Sequence, residues 1–262
     1  MIEDRVALVT GAARGIGAAV ALRLADQGLR VVAFDSCAGT TPASGASYPL
    51  ATLADLAAVA EQLGDRGITI RGDVRDRVAL EDAAARAVAT WGRLDVVVAA
   101  AAVVAGGQPL WLDESLPDLW EVDVLGVWHT AAATVPRMIA GPDPSRCRFV
   151  ALASAAGHRG LFHLAAYSAA KHAVVGLVRG LAADLVGTGI TAAAVAPGGT
   201  RTAMLDATAD LYGVGTEELA QSQLLRELIA PEEIAEVVAL CCSDAGRTLN
   251  GALVTADGGF GG

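Results

Sequence analysis

The chain has 262 residues, of which 53% are apolar and 4% aromatic, and its formal net charge is -10. This length suits one large α/β domain with a sizeable core built from Ala, Val and Leu. The acidic balance argues against nucleic acid as a partner, because such binding depends on Lys and Arg neutralising phosphates. The four cysteines form no C-x-x-C pair and no Cys/His cluster with metal spacing. We therefore expect no metal site.

The most apolar run, Val96 to Ala105, is about half the roughly 20 residues that a membrane-spanning helix needs. The charged residues Glu3, Asp4 and Arg5 directly precede the first apolar run, so the start of the sequence does not read as a secretory signal. We expect a cytoplasmic protein that does not associate with a membrane.

The first predicted strand, Arg5 to Thr10, is followed by the glycine-rich sequence TGAARGIG and by a helical pattern from Ala18 to Gln27. Glycines let the backbone approach an anion, and free N–H groups at a helix start stabilise a pyrophosphate. A lone glycine-rich turn is weak evidence, but a turn between a strand and a helix favours dinucleotide binding over a purely structural turn. The cofactor contacts predicted here are Gly11, Arg14, Gly15, Ile16 and Gly17.

The second predicted strand, Arg30 to Phe34, ends at Asp35. A carboxylate at this position accepts hydrogen bonds from ribose hydroxyls and repels a 2′-phosphate. The next residue, Ser36, is not an arginine that would clamp such a phosphate. The sequence therefore predicts NAD rather than NADP, with Asp35 and Ser36 as contacts; the alternative is that Asp35 only caps a loop.

An unusually long loop, Cys37 to Leu53, precedes a helix predicted from Ala54 to Leu63. It reads CAGTTPASGASYPLATL and is rich in Gly, Pro, Ser and Thr. Long loops in compact domains are usually functional or disordered. Because this insertion, at about residues 37–53, leaves the strand at Asp35, we expect it to fold over the bound cofactor. The alternative is a surface insertion without that role.

The strand predicted from Ile68 to Gly72 is followed by Asp73 and Val74, which are suited to the edge of an adenine. After a helix predicted from Val78 to Trp91, the next predicted strand runs from Leu94 to Val98. Small side chains follow it, where backbone must pass close to a flat ligand, which makes Ala100 and Ala101 candidate contacts.

Strands alternate with helices of about 10 to 15 residues along the chain, which predicts a parallel sheet. The fold class is α/β, a Rossmann-type doubly wound sheet of about seven strands with helices on both faces. No linker or composition shift interrupts the pattern. Residues 1–262 are therefore predicted to form a single dinucleotide-binding and catalytic domain.

Asp113 to Met138 is a long predicted helical region, broken at Pro117 and ended near Pro136. Later, a strand predicted from Thr191 to Ala196 is followed by the turn PGGTRT. This turn is expected to hold the nicotinamide end of the cofactor through Pro197, Gly198, Thr200 and Thr202. The loosely helical segment at about residues 203–225 is a candidate lid over an apolar substrate.

Ser154, Tyr167 and Lys171 are the candidate catalytic group. In the helix predicted from Ala165 to Val186, Tyr167 and Lys171 are four residues apart and share a face. A phenol beside a cation loses its proton more easily and can exchange protons with an alcohol or ketone. Ser154 follows the strand predicted from Phe149 to Ala153, and can donate a hydrogen bond to the same substrate oxygen. A lone Tyr-x-x-x-Lys is weak evidence, so the assignment depends on the other motifs.

In this order, TGAARGIG, Asp35, Asp73-Val74, Ser154, Tyr167 with Lys171, PGGTRT and the terminal DGG resemble the short-chain dehydrogenase/reductase family over essentially the whole chain. The resemblance implies that Tyr167 is the general acid/base. It implies that Lys171 lowers the pKa of this tyrosine and binds the nicotinamide ribose, and that Ser154 orients the substrate oxygen. It also implies a homotetramer.

The YPLAT stretch and the later AAYSAAKHAVVGLVRGLAADL resemble the mycofactocin-associated branch of this family. That resemblance implies that the insertion buries NAD so that it does not exchange, and that the external redox carrier mycofactocin reoxidises it. One alternative is an ordinary member of the family with exchangeable NAD. A second is a nucleotide-sensing binding protein that kept the fold and lost turnover.

Two positions depart from the family pattern. Ala99 to Ala102 replace an Asn-rich turn, and Asp123, in VDVLG, replaces a catalytic Asn that is thought to hold a water relaying protons to the lysine. An ionised Asp accepts hydrogen bonds but cannot donate them. A carboxylate near Lys171 would also stabilise the ammonium form. We hypothesise that the relay survives with Asp123 as its acceptor.

The candidate substrate pocket is apolar, which predicts a hydrophobic secondary alcohol or its ketone as the substrate. Its predicted lining residues are Val103, Val104, Trp111, Leu161, Phe162, Met204, Leu211 and Tyr212.

Overall fold

Seven parallel strands form one sheet in the computed structural model, which describes residues 5–40, 46 and 48–261. In chain order they are β1 (Val6–Thr10), β2 (Arg30–Asp35), β3 (Gly67–Arg71), β4 (Val96–Ala99), β5 (Arg148–Leu152), β6 (Thr191–Pro197) and β7 (Leu253–Ala256). Their order across the sheet is β3-β2-β1-β4-β5-β6-β7. The predicted fold class is confirmed.

Helices cover both faces of this sheet. They are α1 (Gly15–Asp26), α2 (Leu53–Leu63), α3 (Arg77–Trp91), α4 (Leu116–Leu119), α5 (Gly126–Ile139), α6 (Ala165–Asp184), α7 (Ala203–Tyr212), α8 (Thr216–Ala220) and α9 (Pro231–Cys242). One apolar cluster joins the sheet to α1, α2 and α9, and a second joins it to α3, α5 and α6. Central strands such as β1, in which every residue is buried, are apolar on both faces for this reason.

The sheet reverses its strand order between β1 and β4. In β1, Thr10 pairs with Phe34 of β2 on one side and with Ala99 of β4 on the other. The loops after these strands therefore leave in opposite directions, and a crevice opens at the carboxyl ends of the strands. This crevice is where the motifs after β1, β2, β4 and β5 converge.

The prolines of the predicted Asp113 to Met138 helix act differently from the prediction. Pro117 lies in the first turn of α4, where its missing N–H costs nothing, so it starts a helix rather than breaking one. A π-helical turn (Trp120–Leu125) then joins α4 to α5. Pro136 lies inside α5, which continues to Ile139, one residue past the predicted limit at Met138, so this proline does not itself end the helix.

The segment predicted as a lid contains two short helices. Gly213, with a left-handed φ of 65°, ends α7, and α8 follows after a short turn. Left-handed backbone favours glycine, so the break in the helical pattern follows from this residue.

Part of the predicted insertion, residues 41–45 and 47, lies outside the described residues. The described ends of the insertion are tied together, because Gly39 N donates to Ala51 O at 2.9 Å and Leu50 N donates to Gly39 O at 2.7 Å. A capping box between Thr52 and Asp55 then starts α2.

None of the helices in the described ranges is both long and apolar enough to cross a membrane. Within the same ranges, no group of three or more His, Cys, Asp or Glu side chains is arranged to hold a metal ion.

Candidate active site

Two glycines of the turn between β1 and α1, Gly11 and Gly17, have no room for a side chain. A Cβ on Gly11 would lie 2.7 Å from Ala101 Cα, and one on Gly17 would overlap the carbonyl oxygen of Gly11. Arg14, the N-cap of α1, makes no side-chain hydrogen bond to the helix start, so the first amides remain available to an anion. Gly11, Arg14, Gly15, Ile16 and Gly17 all line one cavity of about 950 Å³. This cradle fits the pyrophosphate of NAD.

Asp35 is buried at the end of β2 and borders the same cavity, as does Ser36. Its carboxylate accepts hydrogen bonds from Ala13 N at 3.0 Å and from Cys37 N at 2.9 Å. Two backbone donors thus fix a negative charge where the adenosine ribose of NAD would lie. This arrangement fits ribose hydroxyls and opposes a 2′-phosphate.

Asp73 and Val74 also line the cavity. Asp73 Oδ2 lies 2.6 Å from Arg75 Nη2. Burial raises the pKa of Asp73, but hydrogen bonds from Arg75 outweigh this and hold the pKa below its ordinary value. Val74 packs against Gly126: a Cβ on this glycine would lie only 2.6 Å from Val74 Cγ2. Both predicted adenine contacts are therefore fixed on the cavity wall.

The loop after β4 is held by side chains from other elements. Thr10 Oγ1 accepts hydrogen bonds from Ala100 N at 3.1 Å and from Ala101 N at 3.2 Å. Both alanines line the cavity, as predicted for residues that contact a flat ligand. Alanine side chains cannot accept hydrogen bonds, so Thr10, at the end of β1, accepts those of the loop amides.

Further along the loop, the amides of Val103 and Val104 donate to Asp123 and Tyr48. Val103 N donates to Asp123 Oδ1 at 2.9 Å, and Val104 N donates to Tyr48 Oη at 3.4 Å. Buried amides require partners, and this loop finds them on two distant segments of the chain.

Ser154, Tyr167 and Lys171 meet at one end of the cavity. Tyr167 and Lys171 are one turn apart in α6, both are buried, and Lys171 Nζ is 5.6 Å from the centre of the Tyr167 ring. Ser154 follows β5, where its Oγ accepts a hydrogen bond from Ala156 N at 3.1 Å. The structure therefore brings together the three residues that the sequence singles out.

Lys171 forms a buried ion pair with Asp123. Its Nζ is 2.9 Å from Asp123 Oδ2, and the exposed fractions of the two side chains are 2% and 0%. The same ammonium donates to Leu152 O at 3.3 Å. Asp123 lies in the π-helical turn before α5, where it is fully buried.

The ion pair changes the proton chemistry that the sequence predicts. Burial is the largest influence on the pKa of Tyr167 and raises it; Lys171 lowers the pKa, and Asp123 raises it again. The net direction is upward, so the cation acts as predicted but does not decide the result. Burial alone would lower the pKa of Lys171, but Asp123 and Tyr167 reverse that and raise it.

The turn Pro197 to Thr202 lines the same cavity, and Thr202 lies beside Gly15 of the glycine cradle. A Cβ on Gly198 would overlap the side chain of Gln223, whose Oε1 accepts a hydrogen bond from Gly199 N at 2.8 Å. Thr202 caps α7 by accepting from Leu205 N at 3.3 Å. The predicted nicotinamide turn is thus held by a residue of the candidate lid.

The substrate side of the cavity is apolar. Of the eight predicted pocket residues, six line it: Val103, Val104, Leu161, Phe162, Met204 and Tyr212. Met204 Sδ lies 4.0 Å from Tyr167 Oη. Trp111 is 79% exposed, and Leu211 packs against Gly107, so the prediction is wrong for these two.

Sequence reasoning missed two residues of the site, Tyr48 and Gln223. Tyr48 lies in the YPLAT stretch, where an aromatic residue in a loop of small polar residues could have been noticed. Gln223 is 1% exposed, but nothing in the pattern of the lid distinguishes it from a surface glutamine.

Protein relatives match nearly the whole chain. A family model described as enoyl-(acyl carrier protein) reductase matches residues 11–261. The (-)-trans-carveol dehydrogenase of Rhodococcus erythropolis is 41% identical over 192 residues, which cover 70% of this chain and 66% of that protein. The cis-4-hydroxycyclohexanecarboxylate dehydrogenase of Sinomonas cyclohexanicum is 34% identical over 262 residues, covering 98% of this chain and 96% of that protein.

Solved structures resemble the fold closely. A carveol dehydrogenase from Mycobacterium avium in complex with NAD has a TM-score of 0.90 at 32% identity, covering 98% of both chains. A short-chain dehydrogenase from Mycobacterium paratuberculosis bound to NAD has a TM-score of 0.87 at 32% identity, again covering 98% of both chains.

The ion pair can be tested on Lys171 itself, because it is the single lysine of the chain. Lysine labelled with ¹³C at Cε then gives one side-chain NMR signal, whose pH titration reports the pKa. Asp123→Asn removes the carboxylate while burial remains, so we expect the pKa of Lys171 to fall. Asp184→Asn, at the exposed end of α6, is the matched control. An unchanged titration in Asp123→Asn would mean that the carboxylate does not hold the charge.

Proposed function

The chain belongs to the short-chain dehydrogenase/reductase family, and on that premise we propose that it interconverts a neutral, apolar secondary alcohol and its ketone with NAD. The curated relatives with an assigned reaction are dehydrogenases, which confirms the predicted class of enzyme. One observation carries the proposal: a buried tyrosine and lysine meet a partly buried serine where the cofactor cradle joins an apolar pocket.

Tyr167 Oη accepts the hydroxyl proton of the alcohol and returns it when the ketone is reduced. Ser154 Oγ donates a hydrogen bond to the same substrate oxygen, and Lys171 holds the positive charge that favours the phenolate. NAD, when bound, supplies the hydride acceptor. The buried Lys171 ammonium would also bind the ribose at the nicotinamide end of the cofactor.

Asp123 is the proton acceptor next to Lys171 in this proposal. Its carboxylate lies 2.9 Å from the ammonium, which supports a relay that passes through this pair. The negative charge opposes phenolate formation at Tyr167, so Asp123→Asn also moves the rise of alcohol oxidation to lower pH. A pH-rate profile that stays in place would exclude this role.

The cofactor residues follow from the cradle. Gly11, Gly15 and Gly17, with Arg14 and Ile16, would hold the pyrophosphate, and Asp35 with Ser36 the adenosine ribose. Asp73, Val74, Ala100 and Ala101 would contact the adenosine, while Pro197, Gly198, Thr200 and Thr202 would contact the nicotinamide end.

The substrate class follows from the lining of the pocket. Both α7 and α8 contribute apolar side chains to the wall, Met204 and Leu219 among them, which supports a lid at residues 203–225. In the described part of the wall, the cations other than Lys171 are Arg14, Arg75 and Arg201, which belong to the glycine turn, the segment after β3 and the 197–202 turn. A carboxylate on the substrate would meet apolar side chains. The relatives that act on carveol and on a hydroxycyclohexane ring suggest a cyclic alcohol.

We also propose that NAD stays bound between turnovers and is reoxidised by mycofactocin. The resemblance of the YPLAT stretch to the mycofactocin-associated branch supports this, and so does the position of Tyr48, Leu50 and Ala51 on the cavity wall. An ordinary enzyme with exchangeable NAD remains the alternative.

A homotetramer in the cytoplasm completes the proposal. Leu116, Trp120 and Trp128, on α4 to α5, are 43%, 41% and 57% exposed, which is costly for a lone chain in water. A second copy packed on this face would cover them.

Removing the phenol hydroxyl tests the catalytic group. We expect Tyr167→Phe to slow reduction of an artificial electron acceptor by an alcohol by about 10² to 10⁴-fold, because the proton loses its acceptor. Thermal unfolding and the content of bound nucleotide should stay unchanged. Full activity in the variant would refute the role of Tyr167; an inactive wild type that still holds NAD would favour the nucleotide-sensing alternative.

Retention of the cofactor is tested on the protein as purified. After extensive gel filtration and denaturation, about one NAD per chain should be released, because a buried dinucleotide leaves slowly. A site that is emptied by gel filtration would favour the alternative with exchangeable NAD, even if the alcohol is oxidised.

The charge of the substrate gives a third test. We expect kcat/KM to be at least about 100-fold higher for cis-4-methylcyclohexanol than for cis-4-hydroxycyclohexanecarboxylate, because an apolar wall leaves a carboxylate unpaired. The two compounds share the ring and the hydroxyl. Equal values, or a preference for the acid, would contradict a neutral substrate.

A further inference from the structure

Tyr48 reaches both halves of the cavity. Its ring centre lies 5.8 Å from Arg14 Cζ, at the glycine cradle. Its hydroxyl lies 3.4 Å from Val104 N, on the wall of the substrate pocket. A single side chain of the segment before α2 therefore contacts the cofactor side at one end and the substrate side at the other.

The hydroxyl of Tyr48 accepts a hydrogen bond from Val104 N. Among the residues that the structure describes, it donates to no acceptor, so its O–H proton can serve a ligand. Burial raises the pKa of Tyr48 to about 12, so the group stays a phenol at neutral pH. The group thus offers a donor to an oxygen of a ligand in the cavity.

The loop after β4, which Tyr48 contacts, depends on other segments of the chain for hydrogen-bond acceptors. Its side chains from Ala99 to Ala102 are methyl groups that can accept no hydrogen bond. Asp123 holds the amide of Val103 from inside the protein, and Tyr48 holds the next amide from the cavity side. The two acceptors fix consecutive peptide groups between the catalytic ion pair and the cofactor cradle.

We propose that Tyr48 is a positioning residue that fixes the β4 loop between cofactor and substrate, so that loss of its hydroxyl weakens the binding of both. The inference rests on the proposed function for the identity of the two ligands.

The test compares Tyr48→Phe with the wild type, because phenylalanine keeps the ring and removes only the hydroxyl. The amide of Val104 should exchange with deuterium faster. NAD should dissociate about fivefold faster, and KM for the alcohol should rise by about the same factor, as expected for one lost hydrogen bond. The value of kcat should stay within about twofold, because Tyr167 is untouched.

Tyr212→Phe is the matched control. Tyr212 also lines the cavity, but its hydroxyl donates to Phe162 O at 2.6 Å, on the substrate side. We expect this variant to leave NAD dissociation and the exchange of the Val104 amide unchanged.

The proposal is overturned if Tyr48→Phe changes only one of the two affinities or neither, or if Tyr212→Phe has the same effect on NAD. Tyr48→Ala also removes the contact with Arg14 and should give larger effects; if it fails to fold, Tyr48→Phe decides. If the wild type oxidises no alcohol, the proposed function fails. The NAD dissociation rate and the affinity for a ketone ligand then decide the role of Tyr48.

Discussion

The site depends on a charge pair that has no access to water. Removing an ammonium and a carboxylate from solvent costs several kcal/mol for each ion, and their attraction repays this only when the geometry is close and other polar groups take part. Lys171 and Asp123 meet these conditions at 2.9 Å, with Leu152 O and Val103 N as further partners. The pair therefore ties α6 to β5, to the π-helical turn and to the β4 loop at once.

The pairing of Lys171 with a carboxylate has a chemical consequence for Tyr167. A lone ammonium beside a phenol lowers the pKa of that phenol, but a carboxylate next to the ammonium cancels much of its field. With burial acting in the same direction as the carboxylate, Tyr167 is a phenol at neutral pH. The resting site is thus prepared to donate a proton to a ketone, and alcohol oxidation needs the higher pH at which the phenolate forms.

Much of the fold could be predicted because local features agree with the global one. Glycines at 11, 15 and 17, apolar strands and alternating helices each favour the same parallel sheet. The ends of its strands bring Asp35 and Ser154 to one crevice, where α6 adds Tyr167. What could not be predicted depends on distances across the chain. Gln223 acts through a backbone amide that lies 24 residues away. The net pKa shift of Tyr167 requires knowledge of its burial, which spacing alone does not give.

The two departures from the family pattern explain each other. An alanine loop cannot supply acceptors, so its amides need them from Thr10, Asp123 and Tyr48. At position 123 two donors converge, the amide of Val103 and the ammonium of Lys171. An asparagine has one oxygen and would turn its NH₂ group toward one of these donors, whereas a carboxylate offers an acceptor to each. Asp123 thus satisfies the loop and the lysine together, and its charge adds to the effect of burial, which is the larger cause of the raised pKa of Tyr167.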